Sequence, residues 1–97
     1  MKNYELIYRG QFKKDLKKYL QDKNAFAEIE IVLLLLENFG VSGIPQSKKP
    51  HLLKGNYKNQ WECHILPDLL LIWLQFDEEN KQIHLIRIGS HTEILKM

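Results

Sequence analysis

The 97-residue sequence has a single cysteine, Cys63, which rules out an internal disulfide and a cysteine-based metal site. Cys63 is expected to act as a small, half-buried hydrophobe, and the chain to work in a reducing, cytoplasmic setting. Long apolar runs are also missing. The run Ile31 to Leu36 is far too short to span a membrane. The N-terminus reads Met-Lys-Asn-Tyr-Glu, without the apolar core of a signal peptide. Acids are absent from Gly40 to Trp61, a stretch that carries four lysines: Lys48, Lys49, Lys54 and Lys58. Residues 1–24 add seven basic groups against three acidic ones. The net charge of +2 conceals this asymmetry. A basic arc of this kind attracts a polyanion. Repeats and low-complexity segments are absent too, and the length fits one domain over residues 1–97.

Hydrophobic spacing gives an α+β order. Tyr4 to Tyr8 alternates weakly and predicts a first strand. From Gln11 to Leu20 the period changes, with Phe12, Leu16, Tyr19 and Leu20 on one helical face and Lys13, Lys14, Lys17 and Lys18 on the other. Asp22 or Asn24 can cap a second helix that runs to Phe39 and stops at Gly40. Its stripe is Ile29, Leu33, Leu36 and Phe39, and the Ile31–Leu36 run predicts burial on nearly all sides. The short link between the helices predicts an antiparallel helical hairpin. Gly40 to Pro50, with two glycines, two prolines and two serines, reads as a long loop. Trp61 to Ile65, Leu69 to Phe76 and Gln82 to Ile88 then read as strands. Their links are too short for crossovers, so they should form an antiparallel β-meander with Leu69–Phe76 at its centre.

The polar residues at the ends of these strands are the candidate site. His64 and Asp68 flank the turn Ile65-Leu66-Pro67 and can approach across its mouth. His51 closes the long loop. Counting by two along the last strand places Ile83, Leu85, Arg87, Gly89 and His91 on one face and His84, Ile86 and Ile88 on the other. Arg87 and His91 are thus expected to cooperate, with His84 structural or simply exposed. Imidazoles move protons at neutral pH, and a cluster of them beside Lys and Arg points to acid–base chemistry on a phosphate-containing substrate. No His-x-x-x-His pair is present, and Lys54, Lys58 and Arg87 oppose a cation, so no metal is expected.

The motifs His51-x-Leu53-x-Gly55-x-Tyr57-Lys58, Glu62-x-His64-x-x-Pro67-Asp68 and Arg87-x-Gly89-Ser90-His91 resemble those of ribosome-dependent RNase toxins of the RelE superfamily, most closely its YafQ-like branch. The order strand, two helices, three strands agrees. The resemblance implies cleavage of mRNA in the ribosomal A site, without a cofactor, by attack of a ribose 2′-hydroxyl on the adjacent phosphate. It further implies His51 or His64 as base, His91 as acid, Asp68 as the residue orienting a histidine, and Arg87 on the phosphate. Lys48, Lys49, Lys54 and Lys58 would hold RNA. The implied partners are mRNA, the ribosome and an acidic antitoxin, with operator DNA reached only through the antitoxin complex, and no membrane. Trp61 replaces an arginine common in the family, while Leu69 and Leu95 replace aromatics, changes that bear on rate and codon preference. Two other readings compete. One is a weak or inactive member of the fold that binds antitoxin and, with it, operator DNA. The other is a direct DNA-binding domain, which the apolar second helix disfavours.

Overall fold

The computed structural model describes residues 3–54 and 60–94. Strand β1 (Glu5–Tyr8) leads into helix α1 (Gly10–Leu16), a single 3₁₀ turn (Lys17–Tyr19) and helix α2 (Lys23–Phe39). Two more 3₁₀ turns shape the long loop, at Gly40–Gly43 and Gln46–Lys48. Then come β2 (His51–Leu52), β3 (Gln60–Leu66), β4 (Leu69–Phe76), β5 (Gln82–Gly89) and a one-turn helix α3 (His91–Ile94). The sheet has the order β1-β5-β4-β3-β2. The expected meander β3–β4–β5 is antiparallel, and β1 joins β5 in parallel. The edge strand β2, too short to carry an alternation signal, pairs His51 with Glu62 and Leu52 with Trp61.

Local signals explain the helix ends. The Asp22 side chain accepts from the Ala25 N–H at 3.1 Å, a cap worth about 1 kcal/mol. Gly40 ends α2 at φ 68°, and a Cβ there would lie 2.8 Å from the Tyr4 ring. Only glycine fits that position without displacing the ring.

One sheet face carries both longer helices. Phe12 from α1, then Ala25, Ile29, Val32, Leu33 and Leu36 from α2, pack on Cys63, Ile65, Leu69, Leu71, Trp73, Ile83, Leu85 and Ile88. Each fully buried large aliphatic side chain contributes roughly 1.5–3 kcal/mol. On the other face a smaller cluster joins Leu70 and Ile72 to Ile94 of α3, with Leu53 and Ile86 beside it. Leu69–Phe76 is therefore covered on both sides over its first five residues, as the apolar run predicts.

Three expectations need correction. The Ile31–Leu36 run is not buried all round: Ile31 is 49% and Leu34 55% exposed, because α2 meets the sheet along one stripe and nothing described covers its back. Phe39, placed in the core stripe by spacing, is 56% exposed at the last turn of the helix. Cys63 is fully rather than half buried, and enclosure pushes its thiol up to about 12.

A fourth correction concerns strand parity. The β4–β5 register shifts between Ile72 and Trp73, so that Ile72 faces Arg87 while Trp73 faces Leu85. Ile86 is the extra residue of this bulge. Its effect is to return Ile88 to the helix-side core with Ile83 and Leu85, where simple alternation places it opposite them.

Candidate active site

On β3, Trp61, Cys63 and Ile65 belong to the helix side, so alternation turns Glu62 and His64 to the face that carries α3. Asp68 follows in the tight turn to β4, and His91 begins α3 beyond the end of β5. Folding the meander brings these three polar side chains to one corner. Asp68 Oδ1 lies 3.1 Å from His91 Nδ1 and accepts from the His91 backbone N–H at 3.3 Å. The two contacts, side chain first, hold the Asp68 carboxyl below its ordinary value. They also fix the imidazole: Nδ1 carries a hydrogen toward the carboxylate, and Nε2 is the nitrogen left to act. The His64 and His91 rings meet edge to face with centroids 5.5 Å apart. Asp68 thus contacts His91 across the site, where sequence proximity suggested an approach to His64.

The helix carrying His91 is pinned from both ends of its first turn. Ser90 Oγ accepts from the Glu93 N–H at 3.2 Å while Glu93 Oε1 accepts from the Ser90 N–H at 3.1 Å, a reciprocal capping box. Lys18 Nζ reaches Glu93 Oε2 at 2.7 Å. The Lys18 hydrogen bond, with the Ser90 N–H next, pulls the Glu93 carboxyl down to about 2. The Ser90-x-x-Glu93 spacing of this box is legible in the sequence.

His51 lies on the same side through β2. Its Nδ1 donates to the Lys49 carbonyl at 2.8 Å, and its Nε2 lies 3.2 Å from Glu62 Oε1. Between this loop and β3 lies an open depression of about 460 Å³ lined by Ser47, Lys48, Lys49, His64, Ile65, Leu66 and Pro67. The lysines expected to hold RNA divide. Lys48 is largely spent on the fold, donating to the Ile65 carbonyl at 2.8 Å with Glu28 at 3.8 Å. Lys49 and Lys54 are exposed, and Lys58 lies outside the described residues.

Arg87 is built differently from expectation. Its Nε and one terminal nitrogen hold Asp15 at 2.7 and 3.3 Å, and the same carboxylate accepts from the Ile88 N–H at 3.0 Å. Burial raises the Asp15 carboxyl, but the Arg87, Ile88 and Gln11 hydrogen bonds and the Arg87 charge outweigh it and leave it below its ordinary value. Among the described residues no hydrogen bond joins Arg87 to His91. The guanidinium instead lines an adjoining depression with Gln11, Lys14, Asp15, Lys18, Thr92 and Glu93. Nothing in the sequence signals Asp15, a lone acid among the lysines of α1.

His84 is structural, though not for the reason parity gives. It shares the α3-side face with Ile86 but pairs with Leu74, whereas His64 pairs with Leu70. Four residues of strand separate them by about 13 Å. Arg9 Nε donates to His84 Nδ1 at 3.0 Å, and its Nε2 meets Gln82 at 3.1 Å. Burial, then the Arg9 charge, lower its proton affinity.

Of the family departures, Trp61 stacks on Trp73 at 6.5 Å on the helix side, and Leu69 is buried there. Both point away from the histidines. Leu95 lies outside the described residues. Among the described residues, no three His, Cys, Asp or Glu side chains converge to hold a metal ion, and no helix is long and apolar enough to cross a membrane.

Known proteins carry the same framework. The family described as the bacterial toxin of type II toxin–antitoxin system, YafQ, matches residues 4–96. The chain therefore belongs to the YafQ family of type II toxins. The mRNA interferase toxin YafQ of Escherichia coli strain K12 is 28% identical over 90 residues, covering 93% of this chain and 94% of that protein. YafQ in the Escherichia coli DinJ–YafQ complex superimposes with a TM-score of 0.81 at 27% identity, covering 95% and 98% of the two chains. A metal-bound toxin from Helicobacter pylori gives 0.74 at 32% identity, over 95% and 99%.

Proposed function

We propose that this toxin is a metal-independent endoribonuclease that cuts mRNA on the ribosome and so stops translation. The observation that carries the reading is the Asp68 carboxylate, which takes both the Nδ1 and the backbone N–H of His91 and leaves Nε2 without a hydrogen-bond partner among the described residues. The name of the Escherichia coli relative, an mRNA interferase, supports the same chemistry.

In the reaction a base, His51 or His64, takes the proton of a ribose 2′-hydroxyl. The 2′-oxygen forms a bond to the adjacent phosphorus while the bond from phosphorus to the 5′-oxygen breaks. Protonated His91 gives its Nε2 proton to that leaving oxygen, and Asp68 stabilises the imidazolium beforehand. Arg87 donates to the crowded phosphorane from the guanidinium N–H groups that its pair with Asp15 leaves free. Lys49, Lys54 and Lys58 hold RNA. The upstream fragment leaves with a 2′,3′-cyclic phosphate or its hydrolysed product.

The partner is an acidic antitoxin lying over the basic arc, and operator DNA is bound only by the joint complex. The antitoxin-bound state of the Escherichia coli relative supports such a partner. A groove of about 660 Å³ beside the exposed Tyr8, Ile31 and Leu34 supports a further protein contact.

Primer extension on messages from cells expressing the chain, repeated in a purified system with and without ribosomes, tests the reading. Cuts within translated codons that need the ribosome are expected, and they should survive EDTA once the ribosome's magnesium is restored. Equal cutting of naked RNA would remove the ribosome from the account. Growth arrest without any cut would favour the inactive, antitoxin-binding member of the fold.

A further inference from the structure

The first N–H groups of a helix have no partner within it. His91, the first residue of α3, therefore has a backbone N–H to give away, and Asp68 Oδ1 takes it together with Nδ1. That two-point grip exists only while the turn is formed. Four residues are far too few to hold a helical turn alone, so α3 depends on outside support. At its far end Ile94 docks on Leu70 and Ile72. At its near end the support is Glu93. Its Oε1 accepts from the Ser90 N–H at 3.1 Å, and its own N–H donates to Ser90 Oγ at 3.2 Å. Its Oε2 takes Lys18 Nζ of the neighbouring 3₁₀ turn at 2.7 Å. The last residue of β5 makes room for this carboxylate. A Cβ on Gly89 would lie 3.0 Å from Glu93 Oε1, closer than ordinary contact. One side chain thus joins the end of β5, the first turn of α3 and the turn that follows α1. No hydrogen bond links it to His91 or Asp68 among the described residues, so any effect on the histidine runs through the backbone of α3.

We propose that Glu93 is a positioning residue: by capping α3 and tying it to Lys18, it holds His91 in the grip of Asp68 and beside His64. This rests on the ribonuclease reading above, in which His91 is the acid. Glu93 sets where the proton donor stands and takes no proton itself.

Single-turnover cleavage on programmed ribosomes, joined to NMR of the free protein, tests the assignment. Glu93→Ala should lower the saturating rate by roughly 10- to 100-fold, the scale for a reacting group displaced by about 1 Å. It should not raise the half-saturating ribosome concentration. Glu93→Gln keeps an oxygen for the Ser90 N–H and should recover most of that loss. In a His91→Ala background, Glu93→Ala should slow cleavage no further, because both changes act on one step. Cross-relaxation between the ring protons of His64 and His91, whose centroids lie 5.5 Å apart, should weaken in Glu93→Ala and persist in Glu93→Gln. Equal losses with and without His91 would show a general structural role and overturn the proposal. So would an unchanged ring contact in Glu93→Ala, or a glutamine variant as slow as the alanine one. Should Glu93→Ala not fold, Ser90→Ala removes the other half of the box and must give the same weakened ring contact. Absence of wild-type cleavage would defeat the ribonuclease reading alone, since the ring contact still decides whether Glu93 places His91.

Discussion

Replacing His91 with alanine lowers single-turnover cleavage on programmed ribosomes by roughly 100- to 10,000-fold, the range for loss of a positioned acid or base. The leaving 5′-oxygen loses its proton donor, while the lysines and Arg87 remain to bind RNA, so binding changes little. His84→Ala should be almost silent in the same assay. His84 is held by Arg9 and Gln82 about 13 Å along the sheet from His64, too far to reach the scissile phosphate that His64 and His91 would flank. A severe His84 defect beside a mild His91 defect would mean that the acid has been misassigned.

The second large effect is on stability. Asp15→Ala should reduce the unfolding free energy by about 3 kcal/mol, the lower end of the range for removing one member of a buried pair. The lower end applies because Arg87 is partly open to solvent and can rehydrate, although the Ile88 N–H is left without its acceptor. The pH dependence has a definite sign. Asp15 is depressed in the folded state, so its contribution is complete above the ordinary carboxylate value of 3.8 and is lost as pH falls below it through the depressed folded value. The gap between wild type and variant should therefore be full at neutral pH and close on the acid side. Urea unfolding at several pH values measures it, and a gap constant with pH would show that packing rather than charge holds α1 to β5.

How much of this was legible in the sequence depends on the range of the interactions. The cap at Asp22, the stop at Gly40 and the β-meander are local features, governed by periodicity and neighbouring residues, and each is found where expected. The exposure of Ile31 and Leu34 was hidden because an apolar run does not say how many layers will cover it. The bulge at Ile86 was hidden for a different reason. It arises from a register between two strands, so counting by two along β5 alone misassigned Ile88, which follows the shift, while the face that His84 shares with Ile86 is as counted.

The site divides along the same line. His64, Asp68 and His91 sit at strand ends that the meander must bring together, so motif spacing located them. The partners that fix the site came from further away: Asp15 is 72 residues from Arg87, and Lys18 is 75 from Glu93. Glu62 is present in the motif, but nothing local signals its burial beside His51, since β2, the strand that pairs His51 with it, is only two residues long. Lys48 shows the converse error. In sequence it belongs to the basic arc, yet its ammonium is turned inward to the Ile65 carbonyl.

The central claim is that a ribose 2′-hydroxyl is the nucleophile and histidines carry its protons. The most direct measurement places a single 2′-deoxyribose at the scissile position of a message programmed into ribosomes and follows cleavage at that bond. The account predicts no cut at the deoxy position, continued cutting of the all-ribose control, and a 2′,3′-cyclic phosphate on the control's upstream fragment. Cleavage of the deoxy message at the control rate would make water the nucleophile and contradict the assigned chemistry.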